Sequence, residues 1–344
     1  MENFQISGSN NGNPQAGQSA EFNLKNTGIC HNLVLTLEGT IVVATAAATT
    51  TDKFPYGIVN NVNLAVGAQS KLINLTGTQV NAYRSIRHPG YIEEVDIIPG
   101  GIANIGNPGQ NLAIGTYNFL LTYEVPVVVD EVSMIGSLYL NSKSVTATLE
   151  WTRGNDTDII TPGGGGSAVV TITNVYCTQY TGSAPSQSDG KGGSIQVLPD
   201  LSRLHSVNSF PFPLTGLGDT RISIPKQEGL LQRLLIEARY SPTGRLSPIV
   251  PSSAVNALTD FNFGYGGNKI PKQYTPIQVL AAENNAAYGR VLPYDMFVMD
   301  TLVADPVRDA INMVNLTEIA VTIGVGNNVV LNQGTVNIVE EVLL

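Results

Sequence analysis

Leu33, Leu35 and Leu37, then Ile41 and Val43, share one face of the chain, and Asn32, Thr36, Glu38 and Thr40 share the other. A period of two is the signature of a half-buried strand. The pattern recurs along the chain. Tyr117, Phe119, Leu121, Tyr123 and Val125 give the clearest case, with Asn118, Thr122 and Glu124 between them. Val145, Ala147, Leu149 and Trp151 alternate with Thr146, Thr148, Glu150 and Thr152. Further strands are predicted over 58–66 and 168–180.

The second half begins its own set. Ile222 and Ile224 alternate with Arg221 and Ser223, and 230–238 is apolar and ambiguous between strand and helix. Strands are predicted over 296–303, 319–325 and 329–342. Thr275-Pro276 reads as an N-cap followed by proline in the first helical turn. Ile277, Leu280 and Ala281 then make one apolar stripe and Gly289 a stop, which predicts a helix over 275–288.

Residues 1–18 are polar, rich in Asn, Gln, Ser and Gly, and read as a flexible arm. The segment 182–194 is small, polar and Gly/Ser-rich, as linkers are. It separates a first domain, 19–181, from a second, 195–344. Many connections are too long for hairpins, so two Greek-key jelly rolls side by side fit better than meanders. The expected class is all-β, with one or two short helices.

Composition changes the picture in one respect. Charged residues are 13% of the 344, about half the usual ~25%. So few charges suit a surface that meets other protein rather than water. The net charge is −9, with 18 Lys plus Arg and no basic run. That argues against direct nucleic-acid binding, which draws its affinity from cations on phosphate. The first residues lack the charged and apolar regions of a secretion signal, so synthesis in a cytoplasm is expected.

Candidate chemistry is thin. His31, His88 and His205 have no metal-ligand spacing. Cys30 and His31 are neighbours, but neighbours on a strand point to opposite faces. Cys177 reads as a small buried hydrophobe. Asp156 and Asp158 sit in a Gly/Asn loop without the rest of a calcium motif, so a solvated turn is preferred. Glu93, Glu94 and Asp96 cluster, yet nothing pairs them with an acid across a cleft. Asp295, Asp300, Asp305 and Asp309 are spaced along a strand and its exit. Neither Gly163–Gly166 nor the stretch from Gly264 to Lys269 carries the Lys-Ser/Thr of a phosphate loop. Asn74, Asn155 and Asn315 head Asn-x-Thr triplets read as chance matches. No catalytic, cofactor-binding or metal-binding residue is assigned, and no cofactor.

The order of these features resembles the double jelly-roll major capsid proteins of tailless, membrane-containing icosahedral bacteriophages, the tectivirus type. The resemblance covers about 19–344. It rests on LTLEGTIVVATAAATTTDKFPYGIV, LINLTGTQVNAYRSIRHP and GTYNFLLTYEVPVVV, then SVTATLEWTRGNDTD and VTITNVYCTQY. IQVLPDLSRLHSVNS resembles the bridge into the second roll, and a helix before YDMFVMDTLVADP completes the match. The resemblance implies two adjacent eight-stranded rolls per chain, and homotrimers of pseudo-hexagonal outline tiling an icosahedral shell around an internal membrane that encloses DNA. The implied partners are neighbouring capsomers, a penton or vertex protein, and minor capsid or membrane proteins at the inner face. The implied location is the virion. Two alternatives stay open. One is a spike or lectin-like β-sandwich using Tyr265, Tyr274 or Tyr288 at loop tips. The other is a jelly-roll glycosidase using Glu93 and Asp96.

Overall fold

A computed structural model describes residues 2–88, 111–129, 133–141, 145–182, 186–188, 190–191, 193–196, 201–214, 216–225, 227–241, 244–245, 258–266, 269–288, 296–301, 309–326 and 334–344. The described residues up to Arg84 and from Asn111 to Ser206 belong to one compact unit, and those from Val207 to Leu344 to a second.

Eight principal strands build the first unit: β1 (Glu2–Ile6), β2 (Ser19–Asn23), β3 (Ile29–Ala44), β4 (Val59–Val66), β5 (Gln69–Leu75), β6 (Gly115–Val125), β7 (Ala147–Arg153) and β8 (Ser167–Gly182). They form two antiparallel sheets, in the orders β1-β8-β3-β6 and β2-β7-β4-β5. Helix α1 (Gly77–Arg87) lies between β5 and β6 in the chain. Alternation decides what is inside. Leu33, Leu35, Leu37, Leu121 and Tyr123 are buried from the first sheet, and Phe22, Val62, Leu64, Leu149 and Trp151 from the second.

The second unit repeats this plan. Its strands are β9 (His205–Leu214), β10 (Gly218–Ser223), β11 (Leu230–Ser241), β12 (Leu258–Tyr265), β13 (Lys269–Pro276), β14 (Phe297–Asp300), β15 (Ile319–Val325) and β16 (Gly334–Leu343). The sheets run β9-β16-β11-β14 and β10-β15-β12-β13. Helix α2 (Ile277–Tyr288) again falls between the fifth and sixth strands of its set. Adding eight to each strand number of the first unit reproduces the second, so both units have the strand order of a jelly roll. The core of the second joins Leu231, Leu234, Ile236 and Ile338 to Phe261, Phe263, Val321 and Ile323.

One expectation changes and two are made specific. Residues 2–18 are not a free arm. Glu2–Ile6 is the first strand of the first roll, paired with β8 from Glu2↔Thr181 to Ile6↔Cys177. Gly8 bridges Phe22, and Gly17 N–H donates to the Arg153 carbonyl at 2.9 Å. An edge strand is held by backbone hydrogen bonds on one side and needs few apolar residues, so composition under-reports it. Within and just after the segment 182–194, Ser186–Ser188 pairs with Ser194–Gln196 as a ribbon. The ambiguous run at 230–238 is strand.

Helix α1 has few apolar residues to announce it, although its start is written in the sequence. Thr76 and Gln79 form a reciprocal capping box. Gln79 N–H donates to Thr76 Oγ1 at 3.3 Å, and Thr76 N–H donates to Gln79 Oε1 at 3.0 Å.

Candidate functional site

The sheet β1-β8-β3-β6 turns an unusual face outward. Thr36, Thr40, Thr122 and Thr178 lie there half-buried, and Thr116, Asn118, Thr171 and Tyr176 exposed. Val42 opposes Val169, and both are exposed, Val169 by 50%. Ile114, just before β6, is 61% exposed. No Lys or Arg occurs in these four strands. The strands themselves offer this face no cation, and its carboxylates are few: Glu124, with Arg84 of α1 3.9 Å away, and Glu38, which accepts from Asn174 at 2.8 Å.

Among the described residues, Cys30, Cys177, His205, Asp156 and Asp158 are committed to the fold. Burial pushes the Cys30 and Cys177 thiols up to about 12, so neither supplies a thiolate near neutrality. The His205 ring holds the Pro126 carbonyl through Nδ1 at 2.8 Å, buried. Asp156 and Asp158 serve the backbone. Asp156 Oδ2 accepts from Val170 N–H at 3.0 Å and Asp158 Oδ2 from Asn155 N–H at 2.7 Å. Arg153 completes the clasp, donating to the Val170 carbonyl at 2.7 Å and to Asp156 at 3.2 Å. The Asn74 amide pairs with Asn61, and the amide N–H of Gly166 turns back to the Gly163 carbonyl. Among the described residues no three His, Cys, Asp or Glu gather as metal ligands would.

The aromatic loop tips of the alternative reading are also placed. Tyr288 is buried, and its hydroxyl donates to Asp300 Oδ2 at 2.7 Å. Burial pushes that phenol above its ordinary range. Tyr265 is half-buried against Phe263. The side chain of Tyr274, and Glu93, Glu94, Asp96, Asp295 and Asp305, lie outside the described residues.

Charge is concentrated instead on one face of β11 and β16. Arg233 opposes Glu341 in the ladder, with Nε 3.2 Å from the carboxylate, and its guanidinium lies 3.6 Å from Asp300. Arg239 pairs with Glu237 at 2.7 Å, and Asn337 donates to Glu237 at 3.1 Å. All four of these Arg and Glu side chains are buried. Removing one partner of such a pair would leave the other as an uncompensated buried charge.

No protein-family model and no curated protein sequence matches the chain. Solved structures do. The MCP of STIV, the Sulfolobus turreted icosahedral virus, aligns over 99% of this chain and 94% of its own, at a TM-score of 0.66 and 16% identity. The chain has the double jelly-roll fold of viral major capsid proteins. The Faustovirus major capsid protein shares that fold at a TM-score of 0.66 and 8% identity, over 100% of this chain and 89% of its own. Major capsid protein P2 of bacteriophage PM2 shares it at 0.56 and 12%, over 100% and 97%. Identities this low report a shared architecture, and the double jelly roll here accounts for every principal strand described above.

Proposed function

We propose that this protein is a major capsid protein, a self-assembling building block of an icosahedral virion. The observation that carries this is the repeated strand order, two complete rolls with a helix at the same place in each, aligned along almost the whole length of three viral capsid proteins. Supporting it, among the described residues Cys30 and Cys177 are buried, His205, Asp156 and Asp158 are spent on backbone groups, and the four strands of a broad sheet face carry no Lys or Arg.

In this reading three chains form a capsomer of pseudo-hexagonal outline, and capsomers tile a shell around an internal membrane enclosing DNA. The coat then contacts neighbouring capsomers, a vertex protein and minor capsid or membrane proteins, and needs no basic lining. Sedimentation together with negative-stain imaging of the purified chain tests this. Trimers of hexagonal outline are expected. A stable monomer at every micromolar concentration would overturn the proposal, and binding of the protein to a glycan array would favour a lectin-like module.

A further inference from the structure

The two rolls share a bulge, and it aligns them residue by residue. In the first, Tyr180 opposes Asn32 and Thr181 opposes Cys30, so His31 is the extra residue on β3. In the second, Glu341 opposes Arg233 and Val342 opposes Leu231, so Gln232 is the extra residue on β11. The next pair inward is Gln179↔Leu33 in the first roll and Glu340↔Leu234 in the second. Gln179 and Glu340 therefore occupy equivalent positions on the last strands of their rolls. Both side chains are fully buried, at 0% exposure.

Gln179 uses both halves of its amide on the connection that enters β3. Its Oε1 accepts from Lys25 N–H at 2.9 Å and its Nε2 donates to the Lys25 carbonyl at 3.1 Å. Glu340 meets the equivalent connection, which enters β11. Its Oε2 accepts from Gln227 Nε2 at 2.9 Å, but its Oε1 has no hydrogen-bond partner among the described residues. A buried carboxylate with one neutral donor and one orphaned oxygen is costly. A carboxylic acid, with one donor and one acceptor, is the nearest imitation of an amide.

We propose that folded unit 2 carries Glu340 as the neutral acid, standing in for the amide of Gln179, and that its ionisation loosens β16 from β11 and from the 224–229 connection. The device is a pH-sensitive latch, and it rests on geometry independent of the capsid reading.

The surroundings favour the uncharged form. On the same face lie Leu231, Leu234, Ile236 and Ala238 of β11 and Ile338 and Val342 of β16. β9 begins with His205, whose Nδ1 is engaged with the Pro126 carbonyl at 2.8 Å, and from Val207 to Leu214 it has no titratable residue. The opposing sheet contributes Ile222, Phe261, Phe263, Val321 and Ile323. The charges of these strands, Arg233, Glu237, Arg239 and Glu341, point to the other face, where β14 adds Asp300. Glu228 in the connection is exposed, and Lys226 lies outside the described residues. Burial pushes the carboxyl up to about 7 from 4.5, against the lowering effect of the Gln227 hydrogen bond. The sign follows. Stability from the proton is fully present below 4.5, where the unfolded chain also holds it, and is lost as pH rises through about 7.

Hydrogen exchange on the full chain tests this, read at the Val336–Leu343 amides from pH 5 to 8.5. Wild-type protection factors, corrected for intrinsic exchange, should fall by up to about tenfold per pH unit toward 7 and then level off. Glu340→Gln should abolish that slope and protect β16 better at pH 8. Gln179→Glu should transfer the slope to β8. A protonated-acid C=O infrared band should be present in wild type at pH 6 and missing in Glu340→Gln. A flat wild-type profile, an unchanged slope in Glu340→Gln, or no such band would overturn the latch, whether or not Gln179→Glu folds.

Discussion

Trp151 Nε1 donates to the Gly12 carbonyl at 2.9 Å, tying the chain's one tryptophan to the segment that brings β1 onto β8. Deleting residues 2–12 should red-shift the tryptophan emission, because Trp151 is buried under them, and should lower the unfolding midpoint. Trp151→Phe removes the donor and leaves a buried carbonyl unpaired, at a cost of about 1–3 kcal/mol. Circular dichroism in denaturant measures it. An unshifted emission in the truncated chain would mean that the segment does not dock.

Gly39 sits opposite a bulge of β8, where a Cβ would press onto the Thr171 carbonyl and come within 2.6 Å of Phe119 Cζ. Gly39→Ala should cost about 1–3 kcal/mol by overpacking. Gly164→Ala, with nothing within 4 Å of the new atom, should be close to neutral in the same assay.

Glu341 is 1% exposed and Arg233 is its partner. Arg233→Met should destabilise by about 3–5 kcal/mol, because it strands a buried carboxylate. The double change Arg233→Met with Glu341→Leu should recover most of that. A double-mutant cycle in urea reads the difference, and additive losses would show that the pair is not coupled.

Both thiols are buried and raised to about 12. Burial disfavours the thiolate, so the folded protein at pH 8 should titrate neither cysteine with an aromatic disulfide reagent, and denatured protein both. Reaction of either at native conditions would point to local opening of β3 or β8.

Asp156 receives the Val170 N–H and the Arg153 guanidinium. Asp156→Ala should lower stability by about 1–3 kcal/mol through the freed buried groups. Calcium should not restore it, and neither calcium nor a chelator should move the melting point of the wild type.

The strands that cross the middle of each roll were legible because both rows of side chains report on them. Tyr117 to Val125 alternates without a break, and the structure places β6 there. The start of α1 was legible in principle through Thr76 and Gln79. The side chains of Asp156 and Asp158 illustrate the opposite case. Their loop composition read as a solvated turn, and the backbone clasp was not legible, because it depends on the approach of Val170, fourteen residues from Asp156.

By itself the sequence determined the β class, the scarcity of charge and the periodicities that turn one row of each strand inward, because these depend on residues two or four apart. The tertiary structure decided the rest. It made a strand of Glu2–Ile6, since an edge strand is defined by the backbone it pairs with. It also made equivalents of Gln179 and Glu340, since their match comes from ladder register, which is fixed by partners far away in the chain.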